Sequence, residues 1–193
     1  MYVYHPVFSY IKQLIEKKKY GPIKYVVSNF KFPSLNKKDN RYFKNLGNGF
    51  FLDAAVYPVS LENYLFKFKN KPKILQETFK NVVDLRGYIF LDNNLVRRFY
   101  FWGEGQNYSN NLEIFFNNGS LFVDKFFSKA ANEKILLKIT TKGKIYLKKF
   151  KKFDHFEMMF EAIKKNYNKK FFLKKNRELI YKHSKLLDLI RSS

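Results

Sequence analysis

Cysteine is missing altogether from these 193 residues, which excludes disulfides and thiolate metal sites. Acidic side chains are scarce, 16 against 38 lysines and arginines, and leave a formal net charge of +22. No apolar run reaches the ~18 residues that a membrane-spanning helix needs, so no membrane association is expected. The first residues lack the basic-then-apolar pattern of a secretory leader, and the expected compartment is the cytoplasm. Only three histidines occur, His5, His155 and His183, and none has an i, i+4 partner of ligand type, so no metal site is expected. No serine sits in a nucleophile-elbow pattern.

Apolar side chains make up 46% and aromatics 20%, enough for one domain with a true core and too much for disorder. The positive charge is the usual footprint of nucleic-acid binding. Lysine supplies nearly all of it, however, whereas arginine is the preferred reader of phosphate and guanine. The lysine clusters at 17–19, 67–73, 148–152 and 164–175 are scattered, and a solvated basic surface is the simpler reading. A basic rim that attracts an anionic ligand is the functional alternative.

Val7, Phe8, Ile11, Leu14 and Ile15 mark an amphipathic helix over 7–18, opened by Pro6 and stopped by Gly21-Pro22. Residues 23–32 alternate as a strand, and 33–45 read as a polar loop. Strands are predicted at 74–84, 86–91, 95–102, 111–116, 120–126 and 135–139, with hairpin turns at Asp92-Asn93-Asn94 and Asn117-Asn118-Gly119 that would use positive φ. Helices are predicted at 49–66, 153–167 and 178–191. The stripes Phe156, Phe160, Ile163, Tyr167 and Leu179, Ile180, Leu186, Leu187, Ile190 are expected to pack on the sheet.

The stretch Gly47-Asn48-Gly49-Phe50-Phe51-Leu52-Asp53-Ala54-Ala55-Val56-Tyr57-Pro58 stands apart. Glycines open a turn, where other backbone or a ligand can come close. If the apolar segment after the turn is helical, Asp53 and Tyr57 share a face one turn apart. A carboxylate and a phenol so held could bind and polarise a hydroxyl or carbonyl. The plainer alternative has Tyr57 as a packed ring and Asp53 answering backbone N–H groups at the helix start.

This stretch resembles the G-G-G-x-x-x-D-x-G-x-Y/H signature in the C-terminal domain of the Gfo/Idh/MocA oxidoreductases. Tyr4-His5-Pro6, the helix after it and Gly21-Pro22-Ile23 are similar to that family's segment joining its two domains. Phe115-Phe116-Asn117-Asn118-Gly119-Ser120-Leu121 resembles its late hairpin. Asn48 and Ala55 stand where the family has glycine.

The resemblance implies a single α+β domain over 1–193. Its sheet would be largely antiparallel or mixed, with helices on one face and an open face used for homodimerisation. It implies Asp53 and Tyr57 as the groups at the reacting hydroxyl, and Arg41, Asn48, Gly49 and His5 as substrate-binding candidates, although a structural hydrogen bond is the plainer role for His5. It also implies a sugar or sugar-nucleotide substrate and NAD or NADP as cofactor.

No E-K-P triplet occurs, and Gly103-Glu104-Gly105 lacks the third glycine of a dinucleotide fingerprint. The expectation is therefore a truncated or split oxidoreductase that binds no dinucleotide tightly by itself and is served by a separate Rossmann domain. A stand-alone carbohydrate-binding module and a nucleic-acid binder are the alternatives.

Overall fold

The computed structural model describes residues 1–66, 73–79, 82–92 and 95–192. Helix α1 (Pro6–Glu16) starts where proline suits the first turn and the His5 ring caps it, its Nδ1 accepting from the Val7 N–H at 3.1 Å. Val7, Phe8, Ile11 and Leu14 are its buried stripe, as their spacing predicts. The chain turns through Gly21 and enters strand β1 (Ile23–Lys31).

Strand β1 is central. On one side lie β2 (Lys73–Phe79), β3 (Val83–Asp92) and β4 (Arg97–Gly103). On the other lie β5 (Ser109–Phe116), β6 (Gly119–Asp124), β7 (Ile135–Thr141) and β8 (Lys144–Phe150). The eight-stranded order is β2-β3-β4-β1-β5-β6-β7-β8. Every neighbouring pair is antiparallel except β1 with β4. This is the α+β, largely antiparallel mixed sheet that the sequence predicts.

Alternation along the strands sends Val26, Tyr100, Trp102, Leu112, Ile114, Leu121, Val123 and Leu137 into one core beneath α1 and α2 (Val56–Tyr64). The opposite face presents Tyr25, Tyr88, Leu136, Ile145 and Leu147, all exposed. Phe90 and Phe99 meet there at 4.9 Å between ring centroids, and Tyr88 and Phe101 at 6.1 Å. In β1 the apolar row Tyr25 and Val27 points to this open face, whereas Ser28 points inward and donates to the Asn111 carbonyl at 2.9 Å.

Four expectations need correction. Strand β8 is not apparent in the sequence, because an edge strand carrying Lys144, Lys148 and Lys149 shows no half-buried alternation. The expected strand over 74–84 is two strands, β2 ending at Phe79 and β3 starting at Val83. The Asn117–Asn118 turn forms without positive φ, while Asn93 and Asn94 lie outside the described residues. Helices α3 (His155–Asn166) and α4 (Lys170–Arg191) do not bury the stripes expected of them. Phe156, Phe160, Ile163, Tyr167 and Ile180 are exposed, and on α4 only Leu186 and Ile190 are buried. A helical period shows that one face is apolar; it does not show what covers it.

Candidate functional site

The glycine motif works through contacts within the chain itself. A Cβ on Gly47 would lie 2.5 Å from the Arg41 Cα and 2.7 Å from the Asn40 carbonyl oxygen. The missing side chain lets the backbone close over the Arg41 turn, where Gly47 N–H donates to the Asn40 carbonyl at 2.8 Å and Gly49 N–H to the Arg41 carbonyl at 3.0 Å. Asn48 supports this crossing with φ 53°, a conformation asparagine tolerates better than most residues. The loop and the adjoining helix are thereby tied together.

That helix opens as a single π turn, Phe51–Ala55, and continues as α2. Periodicity cannot distinguish such a turn from α-helix, and π turns are frequent at functional sites. Phe50 and Phe51 are buried beside it, the first against Tyr42 and Phe32, the second edge-on to Trp102. The buried rings fix the turn, so Asp53 and Tyr57 emerge on the side facing the Arg41 loop.

Arg41, Asp53 and Tyr57 line one cavity of about 330 Å³, with Phe30, Phe32 and Pro33 among its walls. Arg41 Nε lies 3.0 Å from Asp53 Oδ2, and its Nη1 lies 3.0 Å from Asp39 Oδ2. Asp39 also caps the short turn Asn40–Tyr42, its Oδ1 accepting from the Arg41 N–H at 3.0 Å. The Tyr57 ring stacks on Phe30 at 4.4 Å. Burial first, and the Asp53 charge second, push the Tyr57 phenol above its ordinary range. At neutral pH it is a protonated donor. The cavity thus offers a phenol O–H, a carboxylate and a guanidinium to one small polar ligand.

Of the sequence candidates, the structure brings these three together and leaves the others aside. Asn48 and Gly49 shape the turn and do not line the cavity. His5 is buried at the start of α1, edge-on to Phe150 and Phe153, and likewise does not line it. Asp53 does not answer the backbone N–H groups at the helix start. Asp84 does: its Oδ2 accepts from Phe50 N–H at 2.8 Å and from Phe51 N–H. Residues so far apart in sequence give no local signal, and a carboxylate at the end of a predicted strand draws no notice.

A second cavity, about 430 Å³, adjoins the first through Tyr57 and is walled by Tyr2, Tyr64, Asn63, Asn176 and His183 among others. Gly103 and Gly105 lie against Arg86 where β4 ends, and the next element after them is strand β5, not a helix. The backbone cradle that holds a pyrophosphate is not assembled there. Among the described residues no three His, Cys, Asp or Glu side chains gather as metal ligands, and no helix is long and apolar enough to cross a membrane.

Comparison with known proteins bears on this geometry. The GFO/IDH/MocA C-terminal domain family matches residues 8–84. The dTDP-3,4-didehydro-2,6-dideoxy-alpha-D-glucose 3-reductase of Streptomyces violaceoruber is 24% identical over 143 residues, covering 72% of this chain and 42% of that protein. The reductase of the same name from Saccharopolyspora spinosa is 24% identical over 149 residues, covering 74% and 44%. The chain therefore spans less than half the length of these curated relatives.

Among solved structures, KijD10, a 3-ketoreductase from Actinomadura kijaniata in complex with TDP-benzene and NADP, superposes in its open conformation with a TM-score of 0.81. The identity is 18%, over 98% of this chain and 58% of that one. Residues 8–84 thus match the GFO/IDH/MocA C-terminal domain family in sequence, and nearly the whole chain shares the fold of the matching part of KijD10.

Proposed function

We propose that this chain is the substrate-binding half of a sugar-nucleotide oxidoreductase, with the Arg41–Asp53–Tyr57 cavity as the seat of the sugar. The convergence of those three side chains on one cavity carries the reading. Tyr57, kept protonated, donates to the oxygen of the reacting carbonyl or hydroxyl. Asp53 accepts from a neighbouring sugar hydroxyl and fixes the ring's orientation. Arg41 answers the anionic side of the ligand by charge-assisted hydrogen bonds. Nucleotide-diphosphate sugars are the substrates named for the curated relatives, and NADP accompanies the KijD10 complex.

The dinucleotide, in this reading, is held by a Rossmann domain outside the described residues. The uncovered apolar stripe on α3 and the cavity beside Tyr57 favour a second body seated on that side. Calorimetric titration with dTDP and a dTDP-hexose, without nicotinamide cofactor, tests the reading. Saturable binding of the sugar nucleotide supports it, and silence with both overturns it.

The open sheet face, with Phe99, Phe101, Tyr88 and Leu136 uncovered by any helix among the described residues, is the proposed homodimer interface. Sedimentation should show a dimer, and Phe99→Asp should give a folded monomer. A wild-type monomer at high concentration would contradict the interface.

A further inference from the structure

We infer that Asp84, a residue outside the cavity, is the positioning residue that sets Asp53 and Tyr57 toward Arg41. The inference rests on the reading of that cavity as the ligand site. The observation is a three-way fit. The Asp84 carboxylate enters from the start of β3 and takes both the Phe50 and Phe51 N–H groups on a single oxygen, Oδ2. Its other oxygen, Oδ1, occupies the space where a Cβ on Gly49 would fall, 2.3 Å away. Its backbone carbonyl also accepts from the Phe50 N–H at 3.1 Å.

The turn that Asp84 holds has no cap of its own. Phe50 stands at the capping position and supplies no side-chain acceptor. The first N–H groups of a helix have no partner within it, and a carboxylate there both satisfies them and complements the positive end of the helix dipole. Burial raises the Asp84 carboxyl pKa, opposed by the hydrogen bonds from Phe51 and Phe50. Asp53 lies two residues beyond the held Phe51, and Tyr57 one turn further along. A shift at the turn moves both, and Arg41 Nε then loses its 3.0 Å partner. Gly49 is thereby explained without a ligand: its hydrogen leaves room for the carboxylate that aims the helix.

The test uses the full chain and two readouts. In the wild type the Arg41 Nε–H should give a resolved, exchange-protected NMR resonance, and calorimetry gives its affinity for dTDP. Asp84→Ala should lose the resonance and weaken dTDP binding about tenfold. Asp84→Asn, which keeps an acceptor for both N–H groups, should restore both. If Asp84→Ala does not fold, Asp84→Ser, too short to reach the two donors, replaces it with the same expected outcome. A folded variant that melts lower while keeping the Arg41 resonance and the wild-type affinity would reduce Asp84 to an ordinary cap and overturn the inference. If the wild type binds no dTDP but Asp84→Ala still loses the resonance, the ligand reading fails and the positioning role stands.

Discussion

Replacing Arg98 with methionine should remove about 3–5 kcal/mol of stability, the usual effect of leaving a buried charge without its partner. Arg98 and Glu62 are both almost fully buried between β4 and α2, with Arg98 Nε 3.0 Å from Glu62 Oε1. The Tyr100 hydroxyl donates to the same carboxylate oxygen. Burial pushes the Glu62 carboxyl above its ordinary pKa, while Arg98 and the Tyr100 hydrogen bond pull it down. Without Arg98 the carboxyl should take up a proton. The loss should therefore be larger at pH 8 than at pH 5. Domains of this size are stable by only about 5–15 kcal/mol, so urea unfolding will show the change plainly. Arg98→Met combined with Glu62→Met should recover more than half of the loss, because no lone charge remains. A single variant within about 1 kcal/mol of wild type would show that the pair is not buried as described.

The second large effect is a loss of stability in acid, centred on His5. Its neutral Nδ1 accepts the Val7 N–H, and its ring is buried at the start of α1. Burial, followed by nearby Lys129 and His155, lowers its pKa from 6.5 to about 4. The folded-state value lies below the unfolded one. The stabilisation is therefore complete above about pH 6.5 and is lost as the pH falls toward 4. At about 1.4 kcal/mol per pH unit, a depression of this size corresponds to at most roughly 3.5 kcal/mol, fully lost only near pH 4. His155 and His183 are also lowered by burial and add to the same trend. His5→Asn keeps a capping acceptor and removes one titration, so its stability should fall less between pH 7 and 5. Equal acid slopes in variant and wild type would exclude the His5 contribution.

Much of the architecture is legible in the residues themselves. The stripe of α1, the alternation of β1 and the run of short strands all obey local periods that burial on one side enforces. What stays hidden is whatever depends on distant partners. The exposure of Phe156 and Phe160 depends on what lies opposite α3, and β8 is an edge whose lysines mask its period.

The site divides in the same way. Asp53 and Tyr57 can be placed together because four helical residues put them on one side. Their meeting with Arg41 depends on Gly47 passing over the loop backbone, a contact visible only in three dimensions. Asn48, Gly49 and His5, read from resemblance as ligand contacts, serve the backbone. Ligand-facing and chain-facing glycines look alike in a sequence, since both need the absence of a side chain.

The proposed role of Arg41, Asp53 and Tyr57 is to hold a sugar nucleotide jointly. Its most direct test is calorimetry of a dTDP-hexose against the wild type and Arg41→Ala, with folding verified by circular dichroism. Removing a charge-assisted hydrogen bond of about 1.5–3 kcal/mol should weaken binding by roughly 10- to 150-fold. An affinity for the dTDP-hexose that is unchanged within about twofold in Arg41→Ala would contradict the claim.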